Sequence, residues 1–93
     1  MEARVLDLLS ALGDEPDAIA ASLEGLGIQG YRLDSKSCPL VNYLRRYGIT
    51  SVVMHDRLVV AGLDEAILCP AKVKDFLRKF DLGLYPKLML ERA

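Results

Sequence analysis

The 93-residue sequence has a single histidine, two cysteines and no long uninterrupted hydrophobic run, and each shortage removes a class of protein. A membrane-spanning helix needs roughly 18 to 20 apolar residues in succession. The leucine-rich start, MEARVLDLLSALGDEPD, is broken by Glu2, Arg4 and Asp7. A secretory signal needs a positive start followed by an unbroken apolar stretch. No membrane segment or leader is therefore expected, and the chain is expected to stay in the cytoplasm.

The scarcity of cysteine works in the same direction. Cytosolic thiols are kept reduced, so Cys38 and Cys69 are expected as free, buried, small hydrophobes, with a disulfide between them as the alternative. With His55 they are the soft metal ligands of the chain, apart from the weaker methionine thioethers. A structural zinc site places ligand pairs two to four residues apart, because one tight turn must present both. No such pair exists, and neither a metal nor a cofactor is expected.

Cys38 precedes a predicted helix, where free N–H groups and the helix dipole lower a thiol pKa. A nucleophile also needs a base, and His55 falls in a predicted hairpin turn, where a histidine is usually solvated. The carboxylates form no pair in an apolar setting, so acid–base catalysis is not suggested. Gly25, Gly27 and Gly30 have the spacing of a phosphate-binding loop, but they follow a helix and lead into a loop, the reverse of the required context. No catalytic residue is assigned, and the chain is read as non-enzymatic.

Net charge is −1 but polarised. Residues 1–31 carry six acids against Arg4, a local −5, and residues 32–93 carry seven acids against eleven bases, a local +4, which together restore −1. So small a net charge gives little non-specific attraction to polyanions.

Helical periodicity predicts a first helix over about residues 2–12, with Val5, Leu6, Leu8, Leu9 and Leu12 on its face, and a second over about 15–26, with Ile19, Ala20, Leu23 and Leu26. Their short link favours an antiparallel hairpin. Residues 27–37 read as a loop, with an extended piece at Tyr31–Leu33. Ser37 is the expected N-cap of a third helix through CPLVNYLRRY, facing Leu40, Val41, Leu44 and Tyr47 inward and Asn42, Arg45 and Arg46 outward. Ile49, Val52, Val53, Leu58, Val59 and Val60 surround His55-Asp56-Arg57 and predict a β-hairpin. Ala66, Ile67 and Leu68 suggest a third strand. Val73, Phe76, Leu77 and Phe80 mark a fourth helix over about 70–80, and Pro86 starts a short last one. The expected fold is one α+β domain over residues 1–93: a helical hairpin plus a third helix, a small antiparallel two- or three-stranded meander covered by the third and fourth helices, and one or two C-terminal helices.

Cys38, Pro39, Tyr43, Leu44 and Arg45 spell CPxxxYLR. Pro70, Val73, Phe76, Phe80, Asp81, Gly83, Tyr85 and Pro86 spell PxxVxxFxxxFDxGxYP. This combination resembles small actinobacterial proteins of no established activity, over roughly residues 26–88. The resemblance implies an actinobacterial or actinophage origin and no catalytic role.

The last dozen residues hold Leu82, Leu84, Tyr85, Leu88, Met89 and Leu90, an apolar load unusual for a terminus. Either this tail completes the core, or it forms an apolar patch that a partner covers. The preferred reading is a protein-interaction module, a small regulator or accessory subunit. It would bind a protein partner or a second copy of itself through Leu84, Tyr85, Leu88, Met89 and Leu90 with the third and fourth helices. A second reading is a nucleic-acid-binding regulator using Arg45, Arg46, Lys72, Lys74, Arg78 and Lys79. The first two helices have helix-turn-helix spacing, but they lie in the acidic part of the chain. A thiol enzyme using Cys38 is the third.

Overall fold

A computed structural model describes residues 2–90 and bears out the α+β class. The elements run α1 (Glu2–Ser10), α2 (Pro16–Gly25), α3 (Pro39–Arg46), β1 (Ser51–Met54), β2 (Arg57–Val60), β3 (Ile67–Leu68) and α4 (Ala71–Asp81), followed by a 3₁₀ turn at Pro86–Leu88. The strands form one antiparallel sheet in the order β1-β2-β3. Residues 91–93 of the tail lie outside the described residues.

Proline sets two of the helix starts. Pro16 and Pro39 occupy first-turn positions, where a missing N–H costs nothing and a fixed φ is already helical. The N-cap of α3 is Cys38 rather than Ser37. Ser37 instead accepts the Tyr31 N–H on its carbonyl at 2.9 Å. The buried stripe of α3 is Leu40, Val41, Tyr43 and Leu44. Tyr47 was expected inside, yet it falls at the C-cap, beyond the last full turn, and is exposed. Tyr43 can be buried because its hydroxyl donates to the Leu8 carbonyl at 2.7 Å, which joins α3 to α1 and satisfies the polar end of the ring.

α1 meets α2 at its C-terminal end, where the Ser22 hydroxyl donates to the Leu12 carbonyl at 2.6 Å. The most extensive helix–helix contact is α2 on α4, and α3 is the helix that lies against β1. Phe76 and Phe80, both fully buried on α4, stack with centroids 6.2 Å apart, and Tyr85 stacks on Phe76 at 5.4 Å.

The segment before α3 departs from the expected extended piece at Tyr31–Leu33. Pairing occurs one residue earlier, as a parallel bridge between Gly30 and Met89, and Leu33 adopts a left-handed φ of 57°. The hairpin closes on His55 and Asp56, with Met54 paired to Arg57. His55, at the first turn position, has a left-handed φ of 58°, a region that ordinarily favours glycine.

Alternation sends Ser51, Val53, Leu58, Val60 and Ile67 inward. Ser51 brings a hydroxyl that is buried without a hydrogen-bond partner. A buried unmade hydrogen bond is a net cost. Ser51→Ala is therefore expected to leave stability unchanged or raise it by about 1 kcal/mol in urea denaturation. A loss above that size would mean that the hydroxyl has a partner after all.

Candidate functional site

The C-terminal residues divide between core and surface. Leu88 is 1% exposed and sits in the hydrophobic core, and Tyr85 and Met89 pack partly buried against it. The tail is strapped down on several sides. Gly30 N–H donates to the Leu88 carbonyl and Leu90 N–H to the Gly30 carbonyl, both at 2.9 Å. The Tyr85 hydroxyl donates to Asp17 Oδ1 at 2.8 Å, and Lys87 Nζ lies 3.5 Å from Glu24 Oε1. Burial and the neighbouring Asp17 carboxylate push the Tyr85 phenol up to about 12. Of the five tail residues expected to meet a partner, Leu84 and Leu90 are exposed. Leu88 is not available for binding, because the 3₁₀ turn points it into the core.

The six cations expected to touch phosphates lie in different surroundings. Arg45 is engaged locally through both terminal guanidinium nitrogens, Nη1 donating to Asn42 Oδ1 and Nη2 to the Lys36 carbonyl, each at 3.1 Å. Lys74 and Arg78 line a surface depression together with Asp56 and Asp81. Lys72 lines a different one, beside Asp7 and Asp14 of the α1 end. Arg46 and Lys79 belong to neither. The acidic first third of the chain thus folds against part of the basic remainder, and the charge polarity of the sequence is partly cancelled in space.

Cys38 and His55 come closer than their sequence positions suggest. Both line a depression of about 250 Å³ with Leu33, Asp34, Ser35, Val53, Leu77 and Asp81. A neighbouring depression of about 520 Å³ shares Leu33, His55, Leu77 and Asp81. The thiol chemistry nevertheless runs the wrong way for a nucleophile. Cys38 is 4% exposed, and burial pushes its thiol up to about 11, outweighing the α3 N–H groups of Val41 and Leu40, while Asp81 raises it further. Burial likewise raises Cys69. Both are free thiols, so the disulfide alternative is not formed. Among the described residues no cluster of three or more metal-binding side chains occurs.

With a pKa near 11, about one Cys38 thiol in ten thousand is ionised at pH 7. Alkylation in the folded protein is expected to be slow at neutral pH and to quicken about tenfold per pH unit up to about 11. Because the folded pKa lies above the ordinary value of 9.0, the thiol favours folding below pH 9, and that contribution is lost as pH rises towards 11. Fast labelling near pH 7 would restore Cys38 as a reactive group.

The surface that sequence reasoning passed over is the outward side of the sheet. Its strand positions are Val52, Met54, Arg57, Val59 and Leu68. Met54, Val59 and Leu68 are 55%, 38% and 53% exposed, and Val52 is half-buried. A sheet with one solvated face usually alternates apolar inside with polar outside. Here four of the five outward side chains are apolar, and Arg57 is the single charge, paired across the strands with Met54 on one side and Leu68 on the other. The signal was present in the sequence. The runs Val52-Val53 and Leu58-Val59-Val60 necessarily place apolar groups on both faces. The outer edge of β1 is partly closed, since Val53 N–H donates to the Ser35 carbonyl at 3.0 Å, so the face rather than the edge is open.

These features define a small α+β fold with Leu88 of the tail held in the core and an apolar sheet face. No protein-family model, no curated protein and no solved structure matches the chain.

Proposed function

We propose that the protein is a non-enzymatic protein-interaction module, a small regulator or accessory subunit whose contact surface is centred on the outward face of the sheet. The observation that carries this reading is the exposed group Met54, Val59 and Leu68 on a sheet face with a single charged residue. Exposed apolar groups gathered on one rigid element are stabilised by being covered, and a partner protein covers them without disturbing the core. Leu84 and Leu90 add exposed apolar area on the tail, but the burial of Leu88 moves the centre of the surface to the sheet.

The buried Cys38 thiol supports a non-catalytic role, since its elevated pKa suppresses the thiolate. The test is capture of partners by the tagged protein and by a Met54→Glu/Leu68→Glu variant, with and without nuclease. Both substituted side chains point outward, so the variant is expected to melt as the wild type does. A protein retained by the wild type in both halves and lost by the variant is the expected result. Equal capture by wild type and variant would remove the sheet face from the proposal, and capture lost on nuclease treatment would favour a nucleic-acid role.

A further inference from the structure

Resting on the sheet face as the contact surface, we infer that its occupant is a single amphipathic helix of a partner protein, carrying a carboxylate that meets Arg57. The size of the face and its one charge carry the inference.

Two four-residue strands and one two-residue strand make up the sheet. With about 3.4 Å per residue and about 4.8 Å between strands, the face measures on the order of 200 Å². A stable protein pair buries roughly 800 Å² on each partner, so two copies meeting through this face alone would fall well short. An α-helix is about 10 Å across with its side chains, and two to three turns of it match the length and breadth of the face. A docked amphipathic helix presents its apolar anchors at residues spaced i, i+3, i+4 and i+7, and that stripe would lie along this face.

Arg57 then selects the charge of the partner. Its ion pair with Asp56 is loose, at 4.0 Å between side chains about half exposed. An apolar cover would take the guanidinium out of water, which is costly unless a carboxylate is supplied. None of the outward strand positions is acidic, and the carboxylate beside the face, Asp56, is already set against Arg57 of its own chain. A partner helix with aspartate or glutamate at the edge of its apolar stripe can supply the carboxylate.

The test is selection from a displayed library of helical peptides in which the stripe and its flanking positions are randomised. Three forms of the full chain serve as targets: wild type, Val59→Glu and Arg57→Glu. Peptides enriched on the wild type are expected to show helical apolar spacing with a flanking acid, and to bind Val59→Glu at least tenfold more weakly. Arg57→Glu is expected to reverse the flanking preference to lysine or arginine. Enriched helices with no preferred charge, but still sensitive to Val59→Glu, would overturn the acidic-helix inference while leaving the sheet face as the interaction surface. Enrichment unaffected by Val59→Glu, or no enrichment, would overturn both. Sedimentation as a dimer that Val59→Glu abolishes would identify a second copy as the occupant and overturn the inference by itself.

Discussion

Leu88→Asp is expected to unfold the domain, whereas Leu84→Asp, four residues earlier in the same tail, is expected to leave it folded. Leu88 is 1% exposed and contributes to the core, and truncating such a leucine alone costs about 2–5 kcal/mol. The aspartate adds the penalty of a charge in an apolar site, several kcal/mol more. Together these approach or exceed the about 5–15 kcal/mol by which small domains are stable. Leu84 is 57% exposed and carries no such penalty. Circular dichroism of the two variants reads the contrast directly. A folded Leu88→Asp protein would return the tail to the surface and reopen it as a contact site.

Gly30→Ala has the next largest expected effect. A Cβ at Gly30 would lie 2.5 Å from the Pro39 nitrogen and the Ser37 carbonyl oxygen and 2.6 Å from the Cys38 carbonyl carbon. All three are backbone atoms at the start of α3, so no side chain can swing aside. The same glycine exchanges two hydrogen bonds with the tail. A cost of about 3 kcal/mol in urea denaturation is expected, the upper range for an overfilled site. Gly25→Ala supplies the contrast. It ends α2 with nothing within 4 Å of the added carbon, and a stabilisation of about 0.5 kcal/mol is expected. Equal behaviour of the two variants would show that the approach of residues 37–39 to Gly30 is relaxed in solution.

Much of the local structure was legible because its causes are local. Pro16 and Pro39 open helices, Gly48 follows the C-cap of α3 with a left-handed φ of 78°, and the valine-rich runs around His55-Asp56 form the hairpin. The Val73, Phe76, Leu77 and Phe80 stripe is the buried face of α4. Structure departs from local pattern where a partner distant in sequence decides the outcome. Tyr43 is buried in preference to Tyr47 because the Leu8 carbonyl, 35 residues away, accepts its hydroxyl. Asn42, expected to face solvent, bonds the Gln29 carbonyl at 2.8 Å and holds the loop that brings Gly30 to the tail.

The candidate site divides in the same way. Helix dipole and sequence position made Cys38 look activated, but desolvation depends on what packs over the sulfur, and burial wins. The basic residues cluster in sequence, and the fold sets Lys72 in a depression with Asp7 and Asp14, and Lys74 and Arg78 in one with Asp56 and Asp81. The α+β class, the order of the elements and the helix and hairpin boundaries to within a few residues follow from periodicity, proline, glycine and β-branched side chains acting over one or two turns. Only the packing of distant segments puts Leu88 in the core, leaves no room for a side chain at Gly30 and keeps the apolar outer face of the sheet open. Each of these depends on which surfaces meet, and a free energy of burial has no value until the covering atoms are in place.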